Sequence, residues 1–463
     1  MEGFMIRFTG IVILSIIPFM VSMAHGKKSP SDAKIFPYPM NQVTLDNGLK
    51  IVSIPFDSPG IVAYYTVVRT GSRNEIEPGK SGFAHFFEHM MFRGTDKYPK
   101  DKFNDVLKSM GADNNAYTSD DETIYHTMAS ADALETIMDI ESDRFMNLKY
   151  TEEDFKTEAG AIMGEYNKSS SSPFNTIDEK LREAAFQNHT YKHTTIGFLK
   201  DIQDMPNQYQ YSLEFFKRWY RPENCVVVVV GDVNQQKLVD MAKKYYSNWK
   251  SGVSKIDIPQ ETAQNEEKFV QVPWKAKTLP ILTVAYHGPA FSDKEIDMPA
   301  MDLFSQVVFG QTSDIYKELV VEKQLVEFIE GGNEDHRDPF LFTIFTRIKD
   351  PKNIDIVRDR IYAALDEART KPVSAERLAD IKSHLKYQYA MGLDNPNSVA
   401  NSISHYIYLT GDPESVNRVY ALYDQVTPDN ITAVAKKYFT KENRTVVILT
   451  QADQSKSGQG VKQ

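Results

Sequence analysis

The sequence predicts an α+β chain of two tandem, homologous α/β-sandwich domains, each a mixed sheet covered by helices. Three observations carry that expectation. Strand-type and helix-type stretches alternate along the first half of the chain. Each half closes on an apolar strand, the Val-rich Cys225 to Val230 and then Thr445 to Leu449. The approach to that strand is also repeated: Lys217-Arg-Trp-Tyr-Arg-Pro-Glu-Asn224 finds an echo 219 residues later in Lys436-Lys-Tyr-Phe-Thr-Lys-Glu-Asn443, with helix, aromatic pair, Glu-Asn turn and buried strand in the same order.

At the start of the chain Arg7 precedes the apolar run Ile11 to Val21, followed by the small-x-small site Ser22-Met23-Ala24. That order is the pattern of an export signal over residues 1–24, so a periplasmic or secreted protein is expected. The run is too short to span a bilayer, and nothing after it suggests a membrane span. A first domain is expected over 35–250. It opens with a hairpin, Val43 to Ile54 around Asp46-Asn47-Gly48, and continues with a strand from Ile61 to Val68. Gly82 to Phe92 and Phe103 to Met110 change to helical character, and Asn115 to Met128 returns to β-type residues. Ala131 to Met146 and Asp154 to Lys168 read as long helices with carboxylates in their first turns, where the helix dipole favours them. The stretch 251–268 is polar, carries Pro259 and lacks periodicity, as a linker would. A second domain of similar fold is expected over 269–450, and the Gln-, Ser-, Lys- and Gly-rich tail 451–463 should be disordered.

Composition narrows the chemistry. The 463 residues can bury a large core, and the formal charge of −10, with Lys and Arg scattered, points to neither nucleic acid nor an anionic membrane as partner. The one cysteine, Cys225, lies in an apolar run, so no internal disulfide and no cysteine-based metal site can form. Any metal must be held by histidine and carboxylate.

His85-Phe86-Phe87-Glu88-His89 supplies such groups. Residues four apart share a helix face, so His85 and His89 present two imidazoles to one point with Glu88 beside them. That geometry suits one zinc ion per chain, with Glu88 placed to take a proton from water as a catalytic base. Two histidines could meet on a helix by chance, but there are only 10 in the chain, and the flanks Phe83, Phe86, Phe87, Met90 and Met91 are apolar. The order H-x-x-E-H is the inverted zincin pattern. A catalytic zinc needs a third protein ligand, which the motif lacks. In the helix Asp154 to Lys168, Glu158 and Glu165 are seven apart and share a face, and Glu165 follows His89 by 76 residues.

With those residues the chain resembles the pitrilysin / mitochondrial processing peptidase family, whose pattern is H-x-x-E-H, then a Glu roughly seventy-five residues on, preceded at seven by a supporting Glu. The resemblance implies that His85, His89 and Glu165 are zinc ligands, Glu88 the base, and Glu158 a support behind the ligands. Gly111 followed by Asn115-Ala116-Tyr117-Thr118 is similar to the family's edge strand, which makes Asn115 and Ala116 candidate substrate-binding positions through backbone pairing. Asp143-Arg144, Ile196-Gly197 and Tyr220-Arg221-Pro222-Glu223-Asn224 also match family positions. The implied architecture is half of a clamshell, and the implied activity is zinc-dependent hydrolysis of peptides or unfolded polypeptides within it.

The second half departs from the family pattern. Active members supply an Arg and a Tyr from a segment like L-R-x-K-E-Q-L-G-Y; here Leu319 to Phe328 places Val320 and Glu327 at those positions. Neither can donate a hydrogen bond to a developing oxyanion, a loss that costs about 10²- to 10³-fold in rate. The expectation is therefore a heterodimer in which a related subunit supplies the Arg and Tyr, or otherwise a homodimer; Arg337 or Arg347 could substitute if the alignment is displaced. The alternative function is a non-catalytic peptide-binding or assembly subunit with a vestigial metal site. The other histidines, His126, His189, His193, His287, His336, His384 and His405, have no ligand spacing and read as core or surface groups.

Overall fold

Asp46-Asn47-Gly48 turns the first hairpin as its residue types require. Gly48 sits at φ +92°, and a Cβ there would approach Glu223 Cβ to 2.9 Å, so only glycine fits. The two strands it joins are β1 (Asn41–Thr44) and β2 (Lys50–Pro55), in a computed structural model that describes residues 34–252 and 256–452. The expected export signal and residues 453–463 of the expected 451–463 tail lie outside the described residues, whereas Gln451, expected in that tail, ends a strand and pairs with Trp274, because the ladder continues to it.

The strands form two sheets. The first runs β1-β2-β6-β3-β5-β4, with β3 (Ile61–Val68), β4 (Asp113–Thr118), β5 (Thr123–Ser130) and β6 (Cys225–Gly231). The second runs β7-β11-β8-β10-β9, with β7 (Lys268–Trp274), β8 (Ile281–His287), β9 (Val326–Asn333), β10 (Leu341–Ile348) and β11 (Arg444–Gln451). Apart from the added β1, the two orders are equivalent, and each has one parallel pair, β2 with β6 and β7 with β11. The fold is α+β with two sheets of matching topology. The sequence echo has a physical basis: Asn224 Nδ2 donates to Trp219 O and Asn443 Nδ2 to Tyr438 O, each tying the strand entry to the end of the preceding helix.

β-type residues from Asn115 to Met128 form two strands, broken at Ser119 to Glu122. The expected helices appear as α1 (Phe83–Met90), α2 (Lys100–Ser109), α3 (Leu134–Asn147) and α4 (Glu152–Ser169). The described residues of the expected linker ahead of β7, 251–252 and 256–267, have no regular structure, yet they are anchored: the Glu261 carboxylate accepts the backbone N–H groups of Gln187, Asn188 and His189.

The halves exchange a helix. α5 (Pro173–Ala185) leaves the first half and packs on β7, β8 and β11, with Ile177, Leu181 and Ala185 buried among Val272, Ile281, Val447 and Leu449. The helix Pro396–Thr410 of the second half packs on β3 and β6 and shares a core with Ala63, Tyr65, Val67 and Val228. The opposite face of the first sheet carries a separate core built around α1. No helix among the described residues is long and apolar enough to cross a membrane.

Candidate metal centre

α1 is oriented by its apolar side. Phe83, Ala84, Phe86, Phe87 and Met90 are buried, Phe87 stacks on Phe215 at 5.3 Å between centroids, and Phe86 meets Phe155 of α4 edge-on at 4.9 Å. His85, Glu88 and His89 therefore stand on the remaining face. At its N-terminus Gly82 adopts φ +93°, and the backbone N–H groups of Gly82 and Ala84 donate to the two oxygens of the buried Glu75 carboxyl at 2.7 and 2.6 Å. A carboxylate there satisfies otherwise orphaned donors and fixes where the helix begins.

α4 starts with a reciprocal cap, in which Thr151 Oγ1 accepts from Asp154 N–H and the Asp154 carboxylate accepts from Thr151 N–H. Phe155, Ala159 and Ile162 bury one side, which turns Glu158 and Glu165 toward α1. The structure brings the expected residues together. Glu165 Oε2 lies 3.3 Å from His85 Nε2, and Glu165 Oε1 lies 3.6 Å from His89 Nε2. One donor atom from each of His85, His89 and Glu165 falls within 4.8 Å of the others. His89 Nδ1 is 2.9 Å from Glu158 Oε1, and Glu158 Oε2 accepts from Arg93 Nε at 2.7 Å and from Arg93 Nη2.

This donor set suits zinc. A carboxylate receiving the Nδ1 proton of His89 leaves Nε2 as a lone pair aimed at Glu165 and His85, the tautomer a metal ligand needs. Two imidazoles and a carboxylate converging without a cation would crowd acceptors together. The electrostatics favour positive charge: burial works to lower the His89 pKa, but the Glu158 hydrogen bond and the charges of Glu165, Glu158 and Glu88 raise it above its ordinary value. Glu165 is held below the usual carboxylate range, first by its hydrogen bond with His85.

Glu88 is fixed from the sheet. Thr118 Oγ1 donates to Glu88 Oε2 at 2.7 Å. Thr118 ends β4, the sheet's edge, which pairs with β5 on one side in the register Asn115 opposite His126 and Ala116 opposite Tyr125. Ala116 is buried beneath α1 and Asn115 is exposed, while the free side of the strand keeps its backbone groups available. A cavity of about 260 Å³ opens beside Glu88 and His89, bounded also by Phe92, Arg93, Lys100 and Glu158.

Val320 and Glu327 lie elsewhere. Val320 is half-buried against the core of the second half, and Glu327 on β9 pairs with Arg347 of β10 at 3.1 Å. Arg347 is thereby engaged, with its guanidinium over the Phe174 ring at 5.8 Å. Arg337 is held at the contact between halves, its N–H to Asp121 and its guanidinium to Arg69 O. Thr118, Arg93 and Lys100 carry no sequence signal for these contacts, except that Arg93 follows His89 by four residues.

Residues 57–197 match the family described as Insulinase (Peptidase family M16), and residues 208–385 match the Peptidase M16 inactive domain. The chain belongs to peptidase family M16. It is 28% identical over 413 residues to the zinc protease PqqE of Helicobacter pylori, covering 88% of this chain and 92% of that protein. It is 24% identical to the mitochondrial-processing peptidase subunit beta of Neurospora crassa, over 85% of this chain and 84% of the relative. Among solved structures, a protease from Helicobacter pylori superposes with a TM-score of 0.82 at 27% identity, covering 89% of this chain and all 100% of that one. The periplasmic protease PqqL from Escherichia coli shares the fold, with a TM-score of 0.73 at 22% identity; the match covers 91% of this chain but 48% of that chain. The M16 membership makes this a protease-type chain of a zinc-protease family.

Proposed function

We propose that the chain is a zinc endopeptidase, acting as the zinc-bearing subunit of a heterodimer that encloses peptides or unfolded polypeptides in a clamshell chamber. The observation that carries this reading is the convergence of His85, His89 and Glu165 beside a Glu88 held by the edge strand. His85, His89 and Glu165 would hold the ion. When bound, zinc supplies Lewis acidity that polarises a peptide carbonyl and acidifies water. Glu88 takes the proton from the attacking water and returns it to the leaving amine, and Thr118 keeps its carboxylate in place for both transfers. The open side of β4 at Asn115 and Ala116 hydrogen-bonds an extended peptide as an added strand. Glu158 orients His89 and in turn is held by Arg93. Val320 and Glu327 stand where the family pattern has its Arg and Tyr donors, which favours a related partner that supplies them.

The test is zinc content and peptide cleavage, measured for the chain alone and coexpressed with a related subunit. Stoichiometric zinc in the wild type and its loss in His85→Ala are expected, with turnover in the complex abolished by Glu88→Gln while zinc is retained. Full activity of the isolated chain would overturn the heterodimer, and absence of zinc would favour a non-catalytic binding subunit. Export belongs to the same reading, and sequencing the mature N-terminus should find His25 first.

A further inference from the structure

The cavity beside Glu88 has charges that differ in their commitments. Glu158 is spent on His89 and Arg93, and Arg93 on Glu158, so that pair cancels. Glu88 accepts the Thr118 hydroxyl. Lys100, at the first turn of α2, is exposed, and among the described residues no carboxylate pairs with it. Phe92 gives the cavity an apolar wall, itself braced edge-on by Phe103 at 6.5 Å. An apolar wall beside one uncommitted ammonium group matches a short aliphatic stem that ends in a carboxylate.

A peptide added along β4 sends successive side chains to opposite faces of the sheet. Ala116 and Thr118 face α1, so a peptide residue beside the bond that Glu88 serves directs its side chain into the space between α1 and α2. We propose that this cavity is a subsite for an acidic side chain next to the scissile bond, with Lys100 as its specificity-determining residue. The proposal rests on the endopeptidase reading. It runs against the chain's overall charge of −10, which favours basic peptides at a distance. Beyond roughly 8–10 Å that field is screened, and the choice inside the cavity falls to the charges that line it, of which Lys100 is the cation with no carboxylate partner among the described residues.

The experiment uses the zinc-loaded full chain, with its partner subunit where turnover needs it. Four peptides differ only beside the scissile bond, carrying Glu, Gln, Leu or Lys, and cleavage sites are mapped by mass spectrometry. The wild type should cleave the Glu peptide about three- to fivefold better than the Gln peptide in kcat/KM, the range of an exposed ion pair. Lys100→Ala should bring that ratio to one, and Lys100→Glu should turn preference toward the Lys peptide, with zinc content unchanged in both. Equal cleavage of the Glu and Gln peptides by the wild type, or a preference that survives Lys100→Ala, overturns the subsite alone. No cleavage of any of the four overturns the endopeptidase reading with it.

Discussion

Thr118 on the edge strand and Glu88 on α1 are joined by a 2.7 Å hydrogen bond, so the strand proposed to hold the peptide also holds the proposed base. Removing the hydroxyl leaves the carboxylate free to rotate away from the attacking water. Thr118→Val should lower kcat about tenfold, a part of the roughly 10²- to 10⁴-fold that a positioned general base contributes, with KM and zinc content little changed. Thr118→Ser should recover most of the rate. Steady-state kinetics beside metal analysis checks this, and an unchanged kcat in the Val variant would refute the positioning.

Glu158 bridges His89 and Arg93, and its loss affects both. Burial raises the Glu158 pKa, but the His89 hydrogen bond and Arg93 outweigh it and hold it below the usual carboxylate range. Glu158→Gln keeps the shape but gives up the charge that makes His89 a better ligand. Zinc affinity should fall about 10- to 100-fold, read by competition with a chelator. Affinity equal to wild type would show that Glu158 serves packing alone.

The legible parts of this molecule were those set by near neighbours along the chain. β3 spans Ile61–Val68 as expected, because an unbroken β-branched and aromatic run has few alternatives. His85, Glu88 and His89 meet through helical spacing, and Glu165 through its distance in sequence. The break between β4 and β5 was not read from Ser119 to Glu122, whose Ser and Asp residues suit a turn but which lack the glycine or proline that would force one. That turn is held from afar, by Arg182 and His336 on Asp120 and by Tyr191 and Arg337 on Asp121. Ile177, Leu181 and Ala185 disclose an apolar helix face but not which sheet it covers. Thr118 and Lys100 were silent for the same reason.

The turn that follows Thr118 should make the fold sensitive to alkali. Burial alone would lower the His336 pKa, but the Asp120 hydrogen bond and the charges of Asp120, Asp121 and Glu334 push it up to about 9 from 6.5. Burial, aided by Asp121 and opposed by a Ser119 hydrogen bond, raises Glu122 to about 8 from 4.5. Both groups bind protons more tightly folded than unfolded. Glu122's contribution is lost as pH rises from 4.5 to 8, and that of His336 from 6.5 to 9. Asp120 works in the opposite sense: Arg182 and His336 outweigh its burial and hold it well below the carboxylate range, so its contribution is lost in acid, below pH 3.8. Thermal melts should show Tm falling by several degrees between pH 6 and pH 9.5, a loss of a few kcal/mol. Glu122→Gln should flatten the part of that slope below pH 8, and a slope unchanged by it would refute the assignment.

Exchange of helices between the halves makes the candidate site depend on residues far from it. Ile403, fully buried on the helix Pro396–Thr410, packs in the core that this helix shares with β3 and β6 of the first half. Truncating it leaves a cavity in that shared core. Ile403→Ala should cost about 2–5 kcal/mol of unfolding free energy, seen as a lower denaturant midpoint with one transition. Because β3 pairs with β5, and β5 with the β4 that carries Thr118, the loss should reach the site as faster hydrogen exchange in β4. The fragment 35–252 expressed alone should fail to fold, since its sheet would lack that helix and its α5 would have no sheet to cover. Coexpression with 256–452 should restore a soluble, zinc-binding complex. A stable, zinc-binding 35–252 fragment would show instead that the first half folds without the exchange.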